Sequence, residues 1–304
     1  MSSSKDTDGY GYICRLENMW LLDLLNKRKG SGTADMSFLE HIEELRWHIA
    51  RSLAAILVAA VVLFLNKSFL FDTIILGPMH SDFPAYVAFC KLGRMVGLGD
   101  SMCTGDIHFS LMSMELTSQF MIHMKAAFMT GLILVFPYVL WEFWRFVSPA
   151  LYETERRQVN GIVIIGSLLF YIGLLFGYYI IAPFTVIFLG DYQVSSLVTN
   201  TFSLDSYMDT VSGLSLTSGI VFEFPLIMYF LARLGIVTDK FLKKYRKYAI
   251  VVCLFLAAII TPSPDMFSQT IVTIPLYGLY EVSVIVAARV RRNKEKKQLE
   301  EDLS

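Results

Sequence analysis

The stretch SFLEHIEELRWH, residues 37–48, places two adjacent carboxylates, Glu43 and Glu44, just before a long apolar run. Lys and Arg ordinarily gather at the cytoplasmic edge of a membrane span, so acids there need a reason. A second acid-bearing stretch, RFVSPALYETERR at 145–157, holds Glu153 and Glu155 ahead of Arg156 and Arg157. Carboxylates at two places on one side of a membrane suit a cationic ligand, such as a basic peptide, spaced across both. The competing reading is a solvated helical lead-in, with Arg46 and Arg51 extending their stems to lipid headgroups, and an ordinary charged loop. Ser37 followed by Glu40 matches a capping box, so a helix is expected to begin there. Ser148 with Pro149 behind it reads as another helix start.

A third polar set lies within apolar sequence. Glu223, in VFEFP, sits inside a predicted span, where a carboxylate is costly and by default functional. A structural hydrogen bond is the alternative. Pro225 removes a backbone donor and is expected to kink that helix. Glu281 is placed similarly, nearer the end of the last apolar run. Asp265 follows TPSP, where it fits a helix N-terminus, and Gln269 lies close to it.

These residues must be positioned by membrane helices. The chain has 304 residues, 55% hydrophobic and 17% charged, against about 25% charged in soluble domains. Charges cluster in short blocks between apolar runs, which points to an all-α polytopic membrane protein. Six spans are predicted, near 49–65, 119–141, 159–182, 211–231, 248–260 and 270–288. The fifth is short: its length reaches only about 20 Å against a hydrocarbon core of about 30 Å. Six spans put both termini on one side, and that side receives nearly all the loop Lys and Arg. They include Lys27, Arg28, Lys29, Arg145, Arg233, Lys240, Lys243, Lys244, Arg246, Lys247 and the basic tail. The opposite side holds Lys67, Lys91 and Arg94. Both termini are therefore predicted to be cytoplasmic.

Residues 1–35 lack a continuous apolar stretch of signal-peptide length and read as a flexible cytoplasmic extension, or as sequence upstream of the true start. Residues 36–290 form the expected membrane domain, and 291–304 a charged cytoplasmic tail without fixed structure. The first outer loop, about 66–118, is expected to hold short surface helices. Cys90 and Cys103 fall in it, and either a disulfide or two free thiols fits. The formal net charge of -1 gives no sign of a nucleic-acid partner. No phosphate loop, dinucleotide fingerprint, zinc-protease motif or nucleophile triad occurs, so neither an enzyme, a cofactor nor a metal is expected.

Several stretches resemble the TatC family, the polytopic subunit of the twin-arginine protein translocase. FLEHIEELRWHIARS (38–52) is similar to the family's N-terminal signature, and FVSPALYETERR (146–157) to its first cytoplasmic loop. LLFYIGLLFGYYIIAPF (168–184), FEFP (222–225) and TPSPDMFSQTIVTIPLYGLYE (261–281) resemble its later spans. The motifs come in the family's order and the resemblance covers about 36–290. It implies six spans in a concave, glove-like arrangement in a bacterial cytoplasmic (inner) membrane. It implies a receptor for the paired arginines of a folded cargo's signal peptide, driven by the proton gradient. Glu44 and Glu155 match the family's recognition glutamates, which would take guanidinium groups through charge-assisted bonds. Arg46, Phe146, Pro149, Arg156 and Arg157 would shape that surface. Glu223 matches the polar residue of the concave membrane face, where single-span TatA- and TatB-like subunits are expected. Pro78, Asp265 and Gln269 match outer-side positions near other TatC copies, with membrane lipids around the whole. The long N-terminus and the long first outer loop depart from the family pattern.

Two other functions compete. A small-solute secondary transporter would need polar groups at a repeat interface near the bilayer midplane, and the buried polar set is sparse with no visible repeat. A structural assembly subunit would use Glu223 for subunit contacts and ignore signal peptides.

Overall fold

The computed structural model describes residues 38–80, 82–95, 110–147, 159–195, 200–261 and 266–302. The chain divides into two units, one ending at Trp47 and one running from His48. Of the first, the described part is the opening turns of α1; the packing below belongs to the second.

Helix α1 runs Phe38–Leu65, beginning where the capping box predicts, although the cap's own side chains lie outside the described residues. A π-helical segment Phe69–Ile75 and a turn of 3-10 helix Gly77–Met79 follow, then α2, Pro84–Met95. These are the short helices expected of the first outer loop. A strand β1, Ser110–Met112, was not expected. It pairs in parallel with β2, Thr201–Ser203, in the register Ser110 to Thr201 and Met112 to Ser203. The two strands join the approaches to helices α3, Ser118–Val147, and α6, Leu204–Phe222. On those helices Lys125 makes ion pairs with Asp205 and Asp209.

Between them, α4 spans Val159–Phe176 and passes through a π-helical turn, Gly177–Ile181, into α5, Ala182–Asp191. Pro183 explains the turn: without an N–H it cannot continue the regular bond pattern, and the wider π turn absorbs the gap. The helix predicted over 211–231 is divided at Glu223 into α6 and α7, Phe224–Arg233, with Pro225 in the first turn of α7. Helix α8, Asp239–Lys244, is capped by Thr238, whose hydroxyl accepts from Phe241 N. It leads into α9, Arg246–Ile260, and α10, Met266–Asp302.

Among the described residues, five helical segments are long and apolar enough to cross a membrane: Ile42–Leu65, Ser118–Val147, Gly161–Gly190, Leu204–Arg233 and Gln269–Lys296. Helix α9, with 15 residues, reaches about 22 Å at 1.5 Å per residue. It lies antiparallel to α10. Arg246 at its start meets Glu281 at 2.8 Å, and Gln269 Nε2 donates to Leu254 O at 3.1 Å nearer its end.

The tail corrects an expectation. Helix α10 continues through Asp302 rather than ending near 290. Arg291 pairs with Glu295 one turn on, and also with Asp239; Lys294 donates to Arg233 O. Glu, Lys, Gln and Leu are strong helix formers, so a charged composition sustains the helix.

Small residues let α4 and α6 approach closely, as is usual in membrane bundles. A Cβ on Gly173 would lie 2.5 Å from Phe222, and one on Gly177 would lie 2.7 Å from Ser215 Cα. Large apolar side chains face outward along α1, α4 and α9, among them Leu57, Val61, Ile165, Val251 and Phe255. Cys90 is disulfide-bonded while Cys253 is free and buried. Cys103 lies outside the described residues.

Candidate functional site

The opening turns of α1 carry Glu43 and Arg46, both exposed, and Glu44, partly buried. One turn later comes His48, only 7% exposed. Its Nδ1 is hydrogen-bonded to Oε2 of Glu142 near the end of α3. Glu142 is 2% exposed, and its Oε1 accepts from the Tyr138 hydroxyl at 2.9 Å. The partly buried Phe146 ring stands edge-on to His48 at 6.1 Å. Tyr138, Glu142 and Phe146 share one face of α3 at four-residue spacing, and His48 closes against it. Arg145, on the neighbouring face, stacks its guanidinium over Trp141 at 5.4 Å.

A carboxylate this buried demands partners, because leaving it unpaired is far costlier than solvating it. The His48–Glu142 bond therefore fixes α1 against the last turns of α3. Beyond Val147 the chain enters 148–158, which lies outside the described residues together with Pro149, Glu155, Arg156 and Arg157.

The reading from sequence missed Glu142 and gave His48 no role. A signal was present: a lone acid directly after the apolar run predicted over 119–141, with Tyr138 one turn before it. The rule that singled out Glu223 applies equally to Glu142.

Glu223 sits in the turn between α6 and α7, 9% exposed. Neither carboxylate oxygen has a hydrogen-bond partner among the described residues. Gly166 of α4 makes room for it: a Cβ there would meet Oε2 at 3.3 Å, with Leu140 and Leu226 closer still. A carboxyl in so apolar a place calls for a polar partner beyond the described residues.

Other expected positions are engaged within the chain. Glu281 binds Arg246 and accepts from the Tyr277 hydroxyl at 3.0 Å. Pro78 is fully buried, its carbonyl accepting from Tyr86 OH at 2.6 Å. Burial raises the Tyr86 phenol above its ordinary range. Gln269 spans to α9 as described, and Asp265 lies outside the described residues. No group of three or more potential metal ligands occurs among the described residues.

The family model described as "Sec-independent protein translocase protein (TatC)" matches residues 40–275. The chain belongs to the TatC family. Similar relatives include the TatC of Blattabacterium sp. subsp. Periplaneta americana (strain BPLAN), 39% identical over 86% of this chain and 98% of that protein. Another is TatCy of Bacillus subtilis (strain 168), 35% identical over 86% of this chain and 92% of its own length. A crystal structure titled as the twin-arginine translocase receptor TatC in DDM aligns with a TM-score of 0.62 at 31% identity, over 82% of this chain and 99% of that one. With its apolar helices, this TatC-family chain is a multi-pass membrane protein and a component of a Sec-independent protein translocase.

Proposed function

We propose that this chain is the signal-peptide receptor and core subunit of a twin-arginine translocase, exporting folded proteins across a bacterial inner membrane on the proton gradient. Glu44 and Glu155 take the two guanidinium groups of the signal peptide. A carboxylate accepts a guanidinium in a planar, two-bond fork that an ammonium cannot form, so paired arginines are favoured over paired lysines. Arg46, Phe146, Pro149, Arg156 and Arg157 frame the site. The observation that carries this reading is the His48–Glu142 bond. It ties the helix that bears Glu44 to the helix that leads into the segment bearing Glu155. Family membership supports it independently.

The topology proposed is six spans with both termini cytoplasmic, a membrane domain over 36–290 between an N-terminal extension and a cytoplasmic tail. The antiparallel course of α9 along α10 supports counting α9 as a crossing. A helix this short is accommodated by local bilayer thinning or by shielding from other subunits. Glu223, whose oxygens have no partner among the described residues, is the contact for a polar residue of a single-span TatA- or TatB-like helix. Other copies of the chain adjoin the outer side.

Photocrosslinking from positions 44 and 155 in native membranes tests the receptor reading. Strong crosslinks to an Arg-Arg signal peptide, lost with Lys-Lys, are expected. Glu44→Ala with Glu155→Ala should weaken peptide binding by roughly a hundredfold, from two lost charge-assisted contacts. Unchanged binding by a folded double variant would overturn the assignment.

A further inference from the structure

We infer that the groove formed by α7, α8, α9 and α10 is a binding site for an anionic phospholipid, with its acyl chain in the groove and its phosphate on Lys244 and Lys247. The groove has a volume of about 330 Å³. Its walls are almost wholly apolar or aromatic, including Phe224, Phe241, Tyr245, Tyr248, Val252 and Leu276. A charged or polar ligand would not fill it, whereas a hydrocarbon chain would.

The cations at one end identify the headgroup. Five basic residues fall within 240–247: Lys240, Lys243, Lys244, Arg246 and Lys247. Two are committed to the protein's own acids. Lys243 pairs with Asp239 at 3.2 Å, and Arg246 with Glu281 at 2.8 Å. Lys240, Lys244 and Lys247 are exposed and have no acidic partner among the described residues. Lys244 and Lys247 are also placed by the groove's own walls. The Lys244 ammonium is 6.0 Å from the Tyr245 ring, and that of Lys247 is 5.2 Å from the Tyr248 ring. Both rings line the groove, and Phe241, Tyr245 and Tyr248 form a contiguous aromatic ledge with centroids 4.5 and 5.8 Å apart. Phe241 and Tyr248 remain more than half exposed. Apolar walls, an aromatic ledge along them and two ammonium groups without an acidic partner among the described residues match the three layers of a phospholipid. A zwitterionic lipid brings its own cation to that place and gains less.

The inference rests on α9 lying in the membrane and on nothing about signal peptides. The full chain is reconstituted in nanodiscs mixing phosphatidylglycerol with phosphatidylcholine, extracted into mild detergent, and its retained lipids are counted by mass spectrometry. Wild type is expected to retain phosphatidylglycerol over phosphatidylcholine. Lys244→Gln with Lys247→Gln should weaken that retention roughly tenfold or more, and the double arginine variant should restore it. Val252→Trp, which fills the groove and leaves both lysines in place, should lower retention too. Lys67→Gln, remote in the chain, should leave it unchanged. Equal retention of the two lipids by wild type, undiminished retention by the folded Gln variant, or an equal loss from Lys67→Gln would each overturn the site. No peptide enters this assay, so its failure leaves the crosslinking result standing, and a failed crosslink leaves the lipid site standing.

Discussion

Removing the His48 ring leaves the Glu142 carboxylate with Tyr138 as its one remaining side-chain hydrogen bond among the described residues. His48→Ala is therefore expected to cost about 3–5 kcal/mol, the usual penalty for stranding half of a buried pair. Glu142→Gln together with His48→Ala should recover part of that loss, because no buried charge is left behind. Thermal unfolding of the four proteins in lipid completes a double-mutant cycle, and additive losses would show that the two groups do not act as a pair. Glu223 makes the opposite case. Its oxygens have no partner among the described residues, so Glu223→Gln should leave stability within about 1 kcal/mol of wild type or raise it, while cargo export falls. A clear loss of stability would reveal a partner within the chain. The difference between the two acids also explains what was legible in sequence. Glu223 stands out because Pro225 and an apolar run surround it. Glu142 is flanked by bulky aromatics, and its partner is 94 residues away. Periodicity reports which face of a helix is apolar, and says nothing about which helix will meet it.

The clasp between α8 and α10 illustrates how elements are held at a membrane edge. Asp239, 1% exposed, faces Lys243 at 3.2 Å and Arg291 at 3.1 Å. Burial pushes its carboxyl up, but the Lys243 hydrogen bond, the charges of Arg291 and Lys243 and the Lys240 backbone N–H outweigh that and hold it below the usual carboxylate range. The folded form is thus the one that binds the proton less readily. Its contribution is complete above the ordinary Asp range near pH 4, and is lost as pH falls through the lowered value. Asp239→Asn should destabilise the protein by about 1–3 kcal/mol near neutrality, with a gap from wild type that narrows on acidification. A gap that stays constant down to acid pH would overturn the assignment. This clasp also accounts for the helical tail. The charges of 291–302 suggested solvated chain, yet Arg291 and Lys294 reach back to Asp239 and Arg233. The division at Pro225 was legible because proline acts locally. The parallel pairing of β1 with β2 was not, since three-residue strands carry no usable alternation and their partners are far apart in sequence.

At the scale of the whole molecule, the apolar runs made the helical, multi-pass character readable, and α9 is where the count of spans needs geometry. Length leaves it short of a full crossing, while five other segments among the described residues are long enough. Its direction is fixed by two contacts: Arg246 to Glu281 at one end, and Leu254 to Gln269 toward the other. If α10 crosses, the proposed six-span topology has α9, lying antiparallel along it, travel back through the same bilayer. The alternative is that α9 stays at one face and α10 crosses alone, which would send the tail to the outer side. Single cysteines at exposed positions, in a background lacking the native ones, separate the two. Lys67→Cys should react with a membrane-impermeant thiol reagent in intact cells. Lys247→Cys and Lys296→Cys should both react only after the membrane is opened. If position 296 is labelled from outside while 247 is protected, α9 does not cross, and the six-span topology fails together with the cytoplasmic placement of the C-terminus. If 247 and 296 are protected alike, the short helix completes its crossing. The bilayer around it must then thin, or another subunit must cover it, by the several ångströms that its length lacks.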